Sequence, residues 1–162
     1  MTRSPDPTLP KLADFLCFAI YSANLAFGRA YKPILEELGI TYTQWIAIVA
    51  LWDEDNQTVK SLGEKLFLES NTLTPILKRL EELGYLRRRR DLADERQVIV
   101  SLTEAGRRLR EQGGQRDLVD ATDLDAAEFA ALQQAVVKLR DSLLKHTQEP
   151  REEEPRRKAG MR

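Results

Sequence analysis

Residues 70–84 read SNTLTPILKRLEELG and residues 85–102 read YLRRRRDLADERQVIVSL; the succession of these two patterns decides the fold. In the first, Leu73, Leu77, Leu80 and Leu83 recur at helical spacing as one apolar stripe, and Gly84 can take the positive φ that closes a helix. A proline deep in a helix costs about 3 kcal/mol, so Pro75 is expected in the first turn and the helix is expected to start between Ser70 and Thr72. Ser70, Asn71, Thr72, Thr74, Lys78 and Arg79 then lie on or near its exposed N-terminal half. The second stretch predicts two extended runs, 85–90 and 97–102, around the charged turn Asp91 to Arg96. Val98, Val100 and Leu102 alternate with Gln97, Ile99 and Ser101, as in a hairpin strand with one packed face.

Immediately upstream, a polar turn over 53–57 leads to Thr58, a suitable N-cap for a compact helix over 59–66. A pair of short helices followed by a basic hairpin has the layout of a winged helix-turn-helix, whose second helix enters the major groove of DNA. Charge supports this layout. The net charge is −1, yet residues 58–110 carry twelve Lys and Arg against eight Asp and Glu, and the remainder carries thirteen against eighteen. Basic charge is thus concentrated in the middle third, as for a phosphate-facing element in an otherwise acidic chain. The run Arg87 to Arg90 has an ordinary reading as a solvated charge run, and Asp91 and Asp94 are expected to engage some of these arginines. Small polar residues at the preceding helix start favour the DNA reading, since helix N-terminal amides hold phosphate and Ser, Thr and Asn contact backbone or base edges.

Outside this unit the chain is mainly helical. A first helix is predicted from about Pro10 to Ala30, with Leu12, Phe15, Leu16, Ala19, Ala23 and Phe27 at core spacing. A separate short piece, 33–38, starts on Pro33 and stops at Gly39, and a buried helix carrying Trp45, Ile46, Ile48, Val49, Leu51 and Trp52 begins after Thr41 or Thr43. Thr103 caps a polar helix that Gly113-Gly114 interrupts, and a last helix runs from near Asp123 to near His146 with Leu124, Phe129, Leu132, Val136, Leu139 and Leu143 as its apolar stripe. The long first and last helices bury more apolar face than so small a DNA-binding unit needs. A two-fold dimer would bury it and fix the spacing of two half-sites; packing on their own subunit is the alternative. The expected organisation is a mainly α chain with a small β-hairpin wing. Residues 9–40 and 104–147 are read as dimerisation helices, 41–103 as the DNA-binding lobe, and 1–8 and 148–162 as disordered ends.

No run of eighteen apolar residues exists and the N-terminus lacks a secretory pattern, so neither a membrane span nor a signal peptide is supported and a cytoplasmic location is expected. One cysteine, Cys17, and one histidine, His146, cannot build an intrachain disulfide or a cysteine-rich zinc site, so no metal or cofactor is expected. Cys17 itself sits in the apolar run LCFAIY, residues 16–21, where its ordinary reading is a buried small hydrophobe.

The run DERQVIVSLTEAG, residues 94–106, resembles the wing and following helix start of the MarR family of winged-helix repressors, and LTPILKRL, residues 73–80, resembles its recognition helix. Within that family, residues 16–21, Tyr31-Lys32-Pro33 and residues 39–44 are similar to the organic hydroperoxide sensing group, OhrR. The match spans about residues 12 to 146. The resemblance implies a homodimeric repressor with a reactive Cys17, hydrogen-bonded by Tyr31 and Tyr42 of the partner subunit, with Tyr21 close by. It also implies major-groove contact by Ser70, Thr72 and Thr74; Asn71, Lys78 and Arg79, from the exposed half of the same helix, and Arg90 are read as further DNA-binding candidates. Arg96 would stand at the wing tip, and Asp94 would orient the wing by pairing with a nearby arginine.

The chemistry can be tested against the residues. Peroxide is attacked by a thiolate rather than a thiol, so a sensor needs groups that stabilise the anion. With a helix starting near Pro10, Cys17 lies roughly two turns in, beyond the reach of the helix dipole, and residues 13, 14, 20 and 21 (Ala, Asp, Ile, Tyr) supply no cation. Neutral phenols are then the available donors. A surround of Phe15, Phe18 and Phe27 would favour an organic hydroperoxide over hydrogen peroxide. A sulfenate at Cys17 has no second cysteine in the chain and must meet an external low-molecular-weight thiol, the same cysteine of another chain, or a backbone nitrogen. Two other readings stand beside this one: a MarR-type repressor released by a small aromatic ligand, with Cys17 structural, and a thiol peroxidase, which the lack of a resolving cysteine and of a neighbouring cation disfavours.

Overall fold

The computed structural model describes residues 10–113 and 122–148. Their elements follow in the order α1 (Leu16–Leu38), α2 (Tyr42–Asp53), β1 (Gln57–Thr58), α3 (Val59–Leu66), α4 (Ser70–Glu82), β2 (Leu86–Arg90), β3 (Val98–Leu102), α5 (Glu104–Gly113) and α6 (Ala126–Gln148). The chain divides into two compact units, one carrying α1 to α5 and the other carrying α6. Of the end segments expected to be disordered, 1–8 and 148–162, all but Gln148, the last residue of α6, lie outside the described residues.

Two starts differ from expectation in ways that bear on function. Residues 12–14 form a separate 3₁₀ turn, because the Asp14 carboxylate accepts the Lys11 backbone N–H at 2.8 Å and offers the chain a local alternative to α-helix. Phe15 is extended (φ −87°, ψ 116°) and stands at the N-cap of α1, which therefore begins at Leu16 rather than near Pro10. Conversely, Pro33 does not open a new helix but lies inside α1. It removes one i→i−4 bond, and Leu35, buried in the core, holds the final turns in place. Gly39 ends the helix in left-handed conformation (φ 66°), with the Ile40 N–H donating to the Leu35 carbonyl at 3.0 Å.

Thr41 caps α2 through a reciprocal box: its Oγ1 accepts the Gln44 N–H at 3.3 Å while Gln44 Oε1 accepts the Thr41 N–H at 2.9 Å. Ala47, Ile48 and Leu51 of α2 are fully buried and form the centre of the core together with Leu62 of α3 and Leu73, Leu77 and Leu80 of α4. Thr58 caps α3 as expected, its Oγ1 accepting the Ser61 N–H at 3.0 Å. The helix α4 starts at Ser70, within the expected range, but Pro75 is then its sixth residue rather than a first-turn one. The leucine stripe sets the helix axis, and this packing outweighs the single backbone bond that Pro75 omits.

The sheet is antiparallel in the order β1-β3-β2. A two-residue strand, β1, pairs Gln57 with Val100 and Thr58 with Ile99, where the sequence predicted only turn and cap. Being central, β3 is paired along both edges, and Ser101, expected on a polar outer face, is 1% exposed. Its hydroxyl is paired with Asn56 Oδ1 at 2.8 Å. In the second unit, Asp125 Oδ1 caps α6 by accepting the Ala127 and Glu128 N–H groups at 2.8 and 2.9 Å. Among the described residues, no single helix is long and apolar enough to cross a membrane.

Candidate DNA interface and thiol site

The exposed side of α4 carries every residue singled out there. Ser70, Asn71, Thr72, Thr74, Lys78 and Arg79 are all exposed. The Thr72 and Leu73 amides donate back to the Glu69 carbonyl, both at 3.0 Å, whereas the amides of Ser70 and Asn71 precede the first intrahelical bonds. Thr74 Oγ1 donates to the Ser70 carbonyl at 2.6 Å, so this hydroxyl faces a ligand with its acceptor lone pairs. Arg79 makes only an open contact with Glu82 at 3.5 Å, both side chains being half exposed.

Behind α4 the wing is fastened by a group that the sequence did not single out. Glu81 Oε2 accepts from Nε and Nη2 of Arg88 at 3.0 and 2.8 Å, and its Oε1 accepts the Arg88 backbone N–H at 2.8 Å. Both carboxylate oxygens thus join the last turn of α4 to β2. Of the four arginines in 87–90, Arg88 is therefore engaged internally, with Glu81 and not with Asp91 or Asp94. Hydrogen bonding from Arg88 holds the Glu81 carboxyl below its ordinary value, against a smaller opposing effect of burial. A lowered carboxyl value gives stability that is complete above the ordinary 4.5 and fades as pH falls through the folded value. Glu81→Gln is expected to cost about 1 kcal/mol at pH 7. In urea melts at several pH values, that gap should stay constant down to about pH 5 and narrow only on further acidification.

At the far end of the hairpin, the Asp94 carboxylate accepts hydrogen bonds from within the turn, where the resemblance implied a pair with a nearby arginine. Oδ1 accepts the Arg96 backbone N–H at 3.1 Å and Oδ2 accepts from Gln97 Nε2 at 3.1 Å. The guanidinium of Arg90 donates to the Glu95 carbonyl at 3.1 Å, and Arg96 is exposed.

The thiol lies elsewhere. Cys17 is exposed within its own chain, not a buried small hydrophobe, and with Leu12, Phe15, Phe18 and Tyr21 it lines an apolar recess of about 380 Å³. Tyr21 stacks obliquely on Phe18 at 6.4 Å between ring centroids. Because α1 starts at Leu16, Cys17 is its second residue and not two turns in. The sequence argument that set the helix dipole aside rested on a position two turns in, and that position does not hold. Phe27 is ten residues along the same helix, about 15 Å away at 1.5 Å per residue, and is not part of this recess.

Tyr31 and Tyr42 do come together, with ring centroids 5.4 Å apart where α1 crosses α2, and Tyr31 also packs on Trp45 at 6.4 Å. Burial pushes the Tyr42 phenol above its ordinary value of 10.0, so it stays a neutral O–H donor across the physiological range. Since α1 is one continuous helix, fourteen residues separate Cys17 from Tyr31, about 21 Å along the axis. The tyrosine pair and the thiol of one chain therefore do not form a single site.

Comparison with known proteins identifies this arrangement. The family model of the SarA/Rot transcriptional regulators matches residues 29–112. The organic hydroperoxide resistance transcriptional regulator of Bacillus subtilis strain 168 is 47% identical over 102 residues, 63% of this chain and 69% of that protein. The chain belongs to the MarR family of winged-helix transcriptional regulators. Another relative, the HTH-type transcriptional regulator TtmR of Methylorubrum extorquens strain PA1, is 43% identical over 147 residues, 88% of this chain and 73% of its own length. Among solved MarR-like structures, reduced AbfR bound to DNA superposes with a TM-score of 0.75 at 37% identity, covering 85% of this chain and 95% of AbfR. As for MarR regulators generally, the winged helix-turn-helix expected from the sequence is the observed fold.

Proposed function

We propose that this MarR-family chain is a homodimeric repressor that binds a pseudo-palindromic operator through α4 and the wing, and releases it when an organic hydroperoxide oxidises Cys17. The observation that carries this reading is the exposed Cys17 thiol in an apolar recess at the first turn of α1. In that position it can meet both an apolar peroxide and, in a second copy, the phenols of Tyr31 and Tyr42. A 21 Å separation within one helix leaves the partner subunit as the only source of those phenols. Leu12, Phe15, Leu16, Ile20 and Leu25 are exposed near the start of α1, as are Leu132, Val136 and Leu143 on α6. These faces support a dimer seam, and residues 9–40 and 104–147 are its proposed contributors. Ser70, Asn71, Thr72, Thr74, Lys78 and Arg79, with Arg90 and Arg96 on the wing, are the proposed DNA contacts, and such a regulator acts in the cytoplasm. That AbfR structures include an overoxidized form bound to DNA, at 36% identity, supports redox sensing on this scaffold.

Attack of the Cys17 thiolate on the peroxide O–O bond gives a sulfenic acid and releases the alcohol; an external low-molecular-weight thiol then displaces water to form a mixed disulfide. Added bulk at the seam would shift the two DNA-reading heads. Specific binding exceeds non-specific by about 4–10 kcal/mol, so a misalignment worth a few kcal/mol releases the operator. The test is a gel shift on a duplex selected from a random library by the reduced protein, with and without cumene hydroperoxide. Wild type should dissociate under oxidant while Cys17→Ser stays bound. Equal release of both proteins would sink the redox reading in favour of a repressor released by an aromatic ligand. Repeated turnover of hydroperoxide with a thiol reductant would instead point to a peroxidase.

A further inference from the structure

Leu92 is 93% exposed, the most exposed large apolar side chain among the described residues, and it stands in the loop between β2 and β3. The other exposed apolar residues named above lie in α1, just before it, or on α6, whereas Leu92 lies in a loop among Asp91, Ala93, Asp94 and Glu95, with no other large apolar side chain in that loop. The loop that carries it is held from within. The Asp91 N–H donates to the Gln97 carbonyl at 2.9 Å, the Ala93 N–H to Asp91 Oδ1 at 3.0 Å, and the Gln97 N–H to the Asp94 carbonyl at 2.9 Å. Together with the Asp94 and Arg90 bonds already described, these turn two carboxylates onto the loop's own donors, while Leu92 and Arg96 of the same loop stay exposed. A leucine fixed in water on an ordered turn gains nothing until something apolar covers it.

We infer that Leu92 is an apolar contact of the wing with operator DNA, seated against the sugars and base edges of the minor groove. This rests on the DNA-binding reading given above and adds to it a contact that carries no charge. Minor-groove proteins use leucine in this way, as a wedge that widens or kinks the duplex, and the Glu81–Arg88 clamp joins β2, the strand that leads into this loop, to the end of α4. Because a neutral side chain releases no counterion, its loss should lower specific affinity without changing the salt dependence, whereas loss of an arginine contact lowers both.

The test uses the full chain and a 40-base-pair duplex selected from a random library by the reduced wild type. Leu92→Ser is expected to weaken specific binding about tenfold, with an unchanged slope of log affinity against log salt and unchanged binding to an unselected duplex. Leu92→Met should retain affinity, and Arg96→Ala should weaken binding with a shallower slope. Thermal melts should coincide for wild type and Leu92→Ser, since the side chain touches no core residue. Wild-type affinity in Leu92→Ser, or a loss accompanied by a shallower slope, would overturn the apolar contact. Failure of the wild type to enrich any duplex would overturn the DNA-binding reading itself, a result distinct from either because there the unmodified protein does not bind.

Discussion

Gly106→Ala should unfold the winged lobe at a markedly lower temperature than wild type. Gly106 sits in the first turn of α5, where its N–H donates to Thr103 Oγ1 at 3.1 Å and its carbonyl accepts the Trp52 indole N–H at 3.0 Å. A methyl added there would be driven into the Tyr85 carbonyl oxygen and would lie 3.0 Å from the Tyr85 carbonyl carbon and 3.1 Å from Leu102 Cδ2. None of these neighbours can withdraw cheaply. The Tyr85 carbonyl accepts the Thr103 N–H at 3.0 Å, and the Tyr85 hydroxyl is tied to the Leu38 carbonyl at 3.1 Å. Overpacking against a fixed backbone costs about 3 kcal/mol, which for a chain of this size lowers Tm by about 10 °C. Calorimetry reads the shift, and Trp52 fluorescence reports whether the indole bond is lost with it. A melt within about 2 °C of wild type would show that α5 can slide, and that the close approach of α5 to the start of β2 is not a fixed contact.

Asp55→Ala should be the next most damaging exposed-loop change. Asp55 follows the end of α2 and its side chain is only 17% exposed. Its Oδ1 accepts the Leu102 N–H at 2.9 Å and the Asn56 N–H at 2.8 Å, while Oδ2 accepts from Arg107 Nη2 at 2.7 Å. One carboxylate thus ties the end of α2 to β3 and to α5. Alanine leaves the Leu102 amide, in a strand residue that is itself buried, without its acceptor, at a cost of about 2–3 kcal/mol. Asparagine keeps one acceptor oxygen for that amide and gives up only the attraction to the half-exposed Arg107, about 1 kcal/mol. Urea denaturation of the two variants should therefore separate them by more than 1 kcal/mol. Equal losses would place the whole effect in the ion pair.

The elements that periodicity and capping specify were legible in the chain. The leucine stripe of α4, the Thr58 and Thr41 caps and the Gly39 and Gly84 stops each follow from local chemistry, and the structure realises each of them, whereas the alternation expected in β3 is not realised, since Ser101 is buried along with Val100 and Leu102. What escaped was set by contacts distant in sequence or by competition too close to separate. Burial of Ser101 depends on β1, a strand of two residues with no pattern of its own. The roles of Asp55 and Glu81 depend on partners brought close by turns, so each read as an ordinary surface charge. The N-terminus of α1 turned on whether Asp14 would cap Lys11, and that one bond moved Cys17 from the helix interior to its first turn. The proposed site was legible as residue types, and the family resemblance already implied its division between two subunits; the continuity of α1 through Pro33 adds that Tyr31 of the same chain lies about 21 Å along the helix from Cys17.

The strand order has a consequence apart from gene control. With β3 in the centre, β2 is left as an open margin of the sheet, the kind of margin on which a stray strand from another molecule can grow. Here one outward amide, that of Arg88, is already taken by Glu81, and Arg87, Arg89 and Arg90 set a row of exposed positive charge along the same strand. Two such margins repel one another. The arginine run proposed to face a polyanion therefore also opposes strand-on-strand growth between copies of the protein.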